Sequence, residues 1–213
     1  MSSDADFTSR LYGYLSVTAT LQEVKRNALR PNNQHQTVPG HYFNMQMMAM
    51  HFGPRLKTPV DIARVYEMIA IHDLPEAIAG DTPVYLTVND QVARGQQHER
   101  EEAAMQKLKE IAPDGDSATK LISLWGELNE NKTPEAKLVH ALDKLEAIFQ
   151  PLQHPNIRYW GDKYDPVYYT IVLDGRRKKY CEHEPVLMDF LLHLMAVTEQ
   201  KMRAVGMDPA QYR

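Results

Sequence analysis

The chain has 213 residues, of which 43% are hydrophobic and 24% are charged. This length is close to that of one average domain and the composition is typical of a globular protein, so we expect a single domain over residues 1–213. There are 24 Lys and Arg residues against 28 Asp and Glu residues, and the net charge of −4 excludes the broadly basic surface of a nucleic-acid-polymer binder. A few local cations could still hold a small anionic substrate.

The single cysteine, Cys181, excludes an internal disulfide and a cysteine-based zinc site. The first residues, MSSDADFTSRLYGY, contain early acids and no apolar run of signal-peptide length. No stretch approaches the roughly 18 uninterrupted apolar residues of a membrane span. We therefore expect a soluble, cytoplasmic protein with no membrane partner.

The N-terminal third is predicted to be helical with one polar break. We predict a helix over residues 11–26, a loop at residues 30–36 because of its Pro and Asn content, and a helix over residues 38–52. Four methionines in the second helix indicate a buried face, since Met favours helices and fills irregular core gaps. A third helix is predicted from Thr58 to Asp73, because a Thr cap, a Pro in the first turn and an early acid are typical of a helix start.

Four further helices are predicted in the remainder of the chain. They cover residues 97–111, a short stretch ending at Trp125, residues 133–150 and residues 185–205. The third begins with a Thr-Pro pair and carries apolar residues at helical spacing. Residues 151–179 are rich in Tyr, Pro and Gly and predict an irregular insertion with one short strand at residues 168–173. The predicted fold class is all-α, a compact multi-helix bundle with this insertion before the C-terminal helix.

The segment IAIHDLPEAIAGD at residues 69–81 carries the densest group of chemically competent side chains. An apolar helix ends there in the pair His72-Asp73, and two acids, Glu76 and Asp81, follow closely. Burying an imidazole and three carboxylates is costly unless a cation or protons compensate. The alternative is an ordinary helix end, with His72 on the helix dipole and solvated acids beyond it. By itself the segment favours neither interpretation.

Two residues outside this segment are candidates for the same site. Asp143 lies beside the apolar face of the helix at residues 133–150, where a buried carboxylate needs a partner, although a neighbouring lysine could supply one at the boundary of that face. His41 follows Pro39-Gly40 at the start of the Met-rich helix. By itself such a histidine is more often a core or capping residue than a ligand.

The order His41, His72-Asp73, Asp143 resembles the HD superfamily of metal-dependent phosphohydrolases, which is named after a His-Asp pair of this kind. Three longer blocks, HDLPEAIAGD, LWGELNE and TPEAKLVHALDKLEA, are similar to the 5′-deoxynucleotidase group of that superfamily and to its HD-domain-containing-protein-2 relatives. The resemblance covers about residues 20–150. Nothing is recognised over residues 151–213, which we expect to pack on the domain as a C-terminal extension.

This resemblance implies a metal site with two acids beside it. The implied ligands are His41, His72, Asp73 and Asp143. Two imidazoles and two carboxylates suit one divalent transition-metal ion, which could be Mn, Co, Fe, Ni or Zn. Glu76 and Asp81 align with the family acids beside the reacting water, and the resemblance gives them roles in proton transfer, water orientation or substrate positioning.

A phosphate ester also needs a cation, and the family places an Arg a short way before the first ligand His. Arg26 holds that position, and its guanidinium offers the paired donors that suit phosphate, with Lys25 and Arg30 near it. An exposed basic helix end is the alternative. Glu127 aligns with a family acid near the sugar or base.

Two departures from the family pattern concern the substrate preference rather than the metal chemistry. Gly40 stands where an acid usually precedes the ligand His, and Asn27 replaces a Trp associated with deoxyribose recognition. The aromatic residues of the insertion could supply a different stacking surface or simply pack on the domain, and we favour packing. They are Tyr159, Trp160, Tyr164, Tyr168 and Tyr169.

The resemblance implies a metal-dependent phosphomonoesterase that releases phosphate from (deoxy)nucleoside 5′-monophosphates by attack of a metal-activated water. One alternative is a dinuclear HD phosphodiesterase or oxygenase, which needs extra histidines between the His72-Asp73 pair and Asp143, where only His98 and His140 lie. The other is a non-catalytic nucleotide sensor, which the presence of Glu76 and Asp81 disfavours. We expect a small phosphate ester of nucleotide type as partner, and a homodimer through the Met-rich or the C-terminal helix.

Overall fold

The computed structural model describes residues 4–158 and 165–213. Within these residues helices dominate, and the all-α fold is as predicted. The helices are α1 (Asp4–Thr18), α2 (Val38–Phe52), α3 (Ile62–Ile71), α4 (Glu76–Ala79), α5 (Val84–Thr87), α6 (Gln91–Glu110), α7 (Gly115–Glu130), α8 (Pro134–Leu152), α9 (Asp165–Leu173), α10 (Lys178–Cys181) and α11 (Pro185–Ala204). The strands are β1 (Lys25–Leu29) and β2 (His35–Thr37).

A β-hairpin stands where the first predicted helix should end. α1 stops at Thr18, so the prediction of a helix through Arg26 was wrong. β1 and β2 pair antiparallel, and the backbone N–H of Arg30 donates to the carbonyl of Gln34 at 2.8 Å to close the turn. Strand formation here depends on pairing with a second segment, which the local sequence does not reveal.

The strand predicted at residues 168–173 is instead the helix α9. Tyr168 and Tyr169 are buried in α9, as packing on the domain requires. Tyr168 also lines a cavity, so the choice between packing and stacking stays a prediction for this residue. A short apolar run rich in β-branched and aromatic residues fits a strand or a buried helix equally well. The other three aromatic residues of the insertion lie outside the described residues.

The Met-rich helix α2 is buried on one face only. Thr37 caps it by accepting the Gly40 N–H, and Met45 is fully buried as predicted. Met47 and Met50 are largely exposed, however, so the expectation that the methionines form one buried face was wrong in part.

Helix starts agree with the predictions at α8 and differ elsewhere. Thr133 caps α8, but α3 is capped by Asp61, whose carboxylate accepts from the backbone N–H groups of the next turn, rather than by Thr58. α6 begins earlier than predicted, because Asp90 already provides a cap. α7 continues beyond Trp125 to Glu130.

Helix α8 occupies the middle of the fold. It packs against α2, α3, α7, α10, α11 and β1, and more than half of its residues are buried. The predicted site residues on α2, α3 and α8 are therefore carried by neighbouring elements around one core. Every helix in the described part of the chain is too short or too polar to cross a membrane.

Candidate metal centre

His41 lies in the first turn of α2 and is fully buried. Its Nδ1 is 2.5 Å from Glu146 Oε2, and a carboxylate can only accept, so the imidazole donates from Nδ1. The other nitrogen, Nε2, lacks a hydrogen-bond partner among the described residues and lies 3.4 Å from Asp143 Oδ1 and 3.9 Å from Asp73 Oδ2. Nε2 therefore faces two carboxylates from a fixed direction.

The pair His72-Asp73 lies directly after α3. His72 Nδ1 donates to the backbone carbonyl of Ile69 at 2.7 Å, which again leaves Nε2 as the free ring nitrogen. That atom is buried and makes no hydrogen bond within the described residues, although Asp73 Oδ2 is 3.2 Å away. Donor atoms of His41, His72 and Asp73 all lie within 4.8 Å of one another. These three side chains could hold one metal ion between them.

Asp143 and Arg26 join the same cluster. Asp143, on α8, turns Oδ1 toward His41 and accepts a hydrogen bond from Lys144 Nζ on Oδ2 at 2.6 Å. Arg26, on β1, donates from Nη1 to Asp73 Oδ2 at 2.9 Å, and its Nη2 is 4.0 Å from Asp143 Oδ1. The structure thus brings together all four residues of the predicted metal site and the predicted phosphate-binding arginine.

The two aspartates of this cluster are strongly acidic. Burial alone would raise the pKa of Asp73, but His72 and Arg26 outweigh it and hold that pKa well below its usual range. Burial would likewise raise the pKa of Asp143, but the positive charge of Lys144 outweighs it and holds that pKa well below its usual range. The pKa of Arg26 is raised in return, because the two carboxylates outweigh its own burial. Both aspartates are therefore ionised, as metal ligands must be.

A buried polar network holds the His41 ring through its Nδ1 atom. Glu146 of α8 is fully buried and accepts hydrogen bonds from His41, from Gln36 Nε2 at 2.6 Å and from Asn44 Nδ2 at 2.7 Å. A carboxylate behind an imidazole is a common way to orient a metal-binding histidine. The sequence interpretation missed Glu146. The available signal was an acid three residues after Asp143, in the middle of a core helix.

The two predicted catalytic acids lie beside the cluster. Glu76 is buried at the start of α4, and its Oε2 has no hydrogen-bond partner in the described part of the chain. Burial raises the pKa of Glu76 to about 10, and the neighbouring carboxylates Asp73 and Asp81 add to the effect. Burial also raises the pKa of Asp81, against the opposing charge of Arg26. With a pKa of about 10, the Glu76 carboxyl holds a proton at neutral pH and can donate it.

Three predicted substrate-binding residues lie away from these contacts. Lys25 is exposed on β1, and Arg30 is exposed in the hairpin turn. Glu127, on α7, accepts hydrogen bonds from Arg64 and from the Thr133 hydroxyl. Their roles in substrate binding stay predictions.

Two cavities adjoin the cluster, and Asp143 and Lys144 line both. The first, which we call the basic cavity, is lined by Arg26, Asn27, Ala28, Gln36, Asp81, Thr82, Pro83, Val84, Tyr85, Asp143, Lys144, Ala147, Pro151, Tyr168 and Arg177. The second, the acidic cavity, is lined by His72, Asp73, Pro75, Glu76, Gln97, Glu101, Trp125, Leu128, Asn129, Val139, His140, Asp143 and Lys144. The basic cavity has three cationic side chains and two carboxyl groups, whereas the acidic cavity has one cationic side chain and four carboxyl groups.

Comparison with known proteins places this architecture in a family. The HD domain family model matches residues 18–182. A 5′-deoxynucleotidase HDDC2 from Xenopus laevis is 30% identical over 149 residues, which cover 69% of this chain and 70% of the relative. The Homo sapiens protein of the same name is 27% identical over 201 residues, which cover 94% of this chain and 89% of the relative.

Solved structures share the fold at lower sequence identity. A crystal structure described as a predicted metal-dependent phosphohydrolase from Magnetospirillum magnetotacticum MS-1 matches with a TM-score of 0.74 and 21% identity, over 98% of this chain and 100% of its own. An HD-domain phosphohydrolase from Listeria innocua matches with a TM-score of 0.62 and 19% identity, over 92% of this chain and 98% of its own.

The chain belongs to the HD domain family and is an HD-type metal-dependent phosphohydrolase. This confirms the resemblance carried by the HDLPEAIAGD and TPEAKLVHALDKLEA blocks. The family match also continues past Pro151, where the sequence interpretation recognised nothing.

Proposed function

We propose that this chain is a phosphomonoesterase that releases phosphate from (deoxy)nucleoside 5′-monophosphates, using one divalent transition-metal ion held by His41, His72, Asp73 and Asp143. The observation that carries the proposal is a pair of buried imidazoles whose Nδ1 atoms are already engaged and whose free Nε2 atoms face two ionised carboxylates. The relatives bear the name 5′-deoxynucleotidase, which supports this class of substrate.

The donor set fits such an ion in charge and in chemistry. Two neutral imidazoles and two carboxylates together bring a charge of −2, which a divalent cation neutralises, and mixed N and O donors suit Mn, Co, Fe, Ni or Zn. When bound, the ion supplies Lewis-acid chemistry, since it lowers the pKa of a coordinated water and polarises a phosphate oxygen. Tyr42 packs its ring 5.0 Å from that of His72 and limits movement of the imidazole.

Electrostatics favour the basic cavity as the substrate site. Arg26, which lines the basic cavity and not the acidic one, attracts an anionic phosphate ester there, whereas the ionised Asp73 carboxylate lines only the acidic cavity and opposes it. The basic cavity also has apolar and aromatic walls that suit a nucleoside. Asn27 lines this cavity, at the position where the family carries the Trp associated with deoxyribose.

The two acids then have separate tasks. Asp81 lines the basic cavity, where it can orient the substrate or the reacting water. Glu76 lines the acidic cavity and lies within hydrogen-bond reach of Asp81. We assign it to proton transfer, because its raised pKa lets it hold a proton that the leaving nucleoside oxygen needs.

Phosphate release from a panel of ribo- and deoxynucleoside 5′-monophosphates tests this function. Chelator-treated protein would be resupplied separately with Mn²⁺, Co²⁺, Ni²⁺, Zn²⁺ and Mg²⁺. We expect metal-dependent release in the wild type and a loss of at least about 100-fold in Asp73→Ala, because that variant lacks a ligand carboxylate. Asp189→Ala, which removes an exposed acid on α11, is the matched control and should behave as wild type.

The ratio of deoxy to ribo turnover reports on Asn27. Without the family's Trp we expect the ratio to be close to one. Absence of release from every nucleotide in protein that has bound metal would contradict the monophosphatase proposal.

The dinuclear alternative gains no support from its two histidines. His98 is exposed on α6 and faces Glu102 at 3.3 Å. His140 lies on α8, and its Nε2 is engaged with the backbone carbonyl of Leu128 at 2.9 Å. His140 lines the acidic cavity beside His72 and Asp143, but its Nε2 is held by that carbonyl and is not free to bind a second metal ion.

A further inference from the structure

Arg177 is a buried cation in the part of the chain where the sequence interpretation found nothing. It lies at the start of α10 and is 6% exposed. Its Nη1 donates to the backbone carbonyl of Lys144 at 2.6 Å. Within residues 4–158 and 165–213 this is its one hydrogen bond, and it forms no ion pair with a carboxylate there. The nearby acid Asp174 is paired with Arg176 instead.

Burial of a cation with so few partners is energetically unfavourable. Removing a guanidinium from water costs several kcal/mol unless an anion and further hydrogen bonds compensate. Burial accordingly lowers the pKa of Arg177. Tyr168 and Asp143 offset part of this cost electrostatically. The donors that the Lys144 carbonyl does not use are left for water or a ligand.

The position of Arg177 shows which ligand could use those donors. The side chain lines the basic cavity, and its hydrogen bond to Lys144 places it next to Asp143. The other two cations of the cavity are already engaged, because Arg26 donates to Asp73 and Lys144 donates to Asp143. Arg177 therefore retains donor atoms that no described residue uses.

We propose that Arg177 is a substrate-binding residue that donates hydrogen bonds to the phosphate oxygens of the ester in the basic cavity. The identity of that ester rests on the function proposed above, whereas the preference for phosphate rests on the guanidinium itself. Its planar set of donors matches two oxygens of one phosphate group. A nucleoside monophosphate carries its charge on the phosphate alone, so no other part of it offsets a buried cation.

A purely structural role for Arg177 gives different results from the binding role. If Arg177 serves only to hold the Lys144 backbone, then its replacement destabilises the fold and leaves phosphate affinity unchanged. If it binds phosphate, then Arg177→Met, which keeps an unbranched apolar stem but removes the charge, weakens phosphate binding without lowering stability, because it also removes a buried charge that has no ion-pair partner among the described residues.

Calorimetric titration of inorganic phosphate into the metal-loaded protein distinguishes the structural role from the phosphate-binding role. We expect the phosphate Kd to rise by about 10-fold or more in Arg177→Met and by less in Arg177→Lys, since a hydrogen bond to a charged group contributes about 1.5–3 kcal/mol. Arg176→Met, the exposed neighbour paired with Asp174, is the control and should keep the wild-type Kd.

Failure of this inference can be told apart from failure of the proposed function. Phosphate binding needs no turnover, so a weakened Kd in the Arg177 variants supports the inference even if no nucleotide is hydrolysed. A wild-type Kd in both Arg177→Met and Arg177→Lys overturns it. If Arg177→Met does not fold, then Arg177→Lys decides, because a lysine cannot reproduce the paired donors: a wild-type Kd overturns the inference, and a raised Kd supports it.

Discussion

The two histidines of the cluster are oriented in the same way by different acceptors. Nδ1 of His41 is held by the Glu146 carboxylate, and Nδ1 of His72 is held by the backbone carbonyl of Ile69. Each ring therefore keeps its proton on the far side and presents Nε2 to Asp73 and the rest of the cluster. An imidazole that is held in one tautomer and one orientation loses less entropy when it binds a cation.

Glu146→Gln tests this arrangement at a single atom. The amide keeps the shape of the side chain but removes its charge and places an N–H₂ group among the donors of Gln36, Asn44 and His41. We expect the affinity for Mn²⁺ to fall by about 10- to 100-fold. Competition with a chromogenic chelator measures it without any need for turnover.

Glu130→Gln is the control for that measurement. Glu130 is an exposed acid on α7 that pairs with Lys132 at the surface, so its neutralisation should leave Mn²⁺ affinity unchanged. Equal affinities for the wild type and Glu146→Gln would show that Glu146 does not orient the metal-binding ring.

The sequence alone could not identify residues whose role depends on partners that are far away along the chain. His72, Asp73, Glu76 and Asp81 lie within one short segment, so their grouping could be read directly. The contact between His41 and Glu146, by contrast, joins residues 105 positions apart. The position of Arg177 in the basic cavity likewise depends on how α10 packs on α8, which no local pattern encodes.

At the scale of elements, the turn after α4 sets the position of Asp81. Gly80 ends that helix with φ 74° and ψ 160°, a region of backbone conformation that is essentially restricted to glycine. The space around Gly80 is open, with nothing within 4 Å of an added Cβ. The need for glycine is therefore a need of the backbone rather than of packing.

Gly80→Ala should reduce the free energy of unfolding by about 1–3 kcal/mol, because alanine is strained in this conformation. Urea unfolding of the metal-free protein measures it. Gly95→Ala is a matched control within α6, where alanine meets no neighbour and should stabilise by about 0.5–1 kcal/mol. A Gly80→Ala variant as stable as the wild type would show that the turn adopts another conformation.

The predicted elements were correct where a helix carries its own cap and apolar face. α8 combines the Thr133 cap with a regular buried stripe, and its start and type were predicted correctly. β1 and α9 were not, because neither has a decisive local pattern. Pairing with β2 decides the first and burial of the α9 apolar residues decides the second, and both are tertiary effects.

At the scale of the whole molecule, the cluster joins parts of the chain that are far apart in sequence. Its proposed ligands come from α2, from the end of α3 and from α8, and β1 adds Arg26. α8 packs against the other three elements and holds their side chains at one point. Asp143 and Lys144 of the same helix line both the basic and the acidic cavity, and we propose that an anionic substrate binds on the basic side. The expected homodimer stays a prediction.

Phosphate release from a deoxynucleoside 5′-monophosphate, followed as Mn²⁺ is added back to chelator-treated protein, tests the central claim most directly. The variant is Asp143→Asn, which keeps the shape of the proposed ligand on α8 but removes its charge. Asp189→Asn is its surface control. We predict that release rises from background to a plateau in the wild type and the control, and stays near background in Asp143→Asn at the same Mn²⁺ concentration. Release without added metal, or undiminished release in Asp143→Asn, would contradict the assignment of this cluster as the metal centre of the hydrolase.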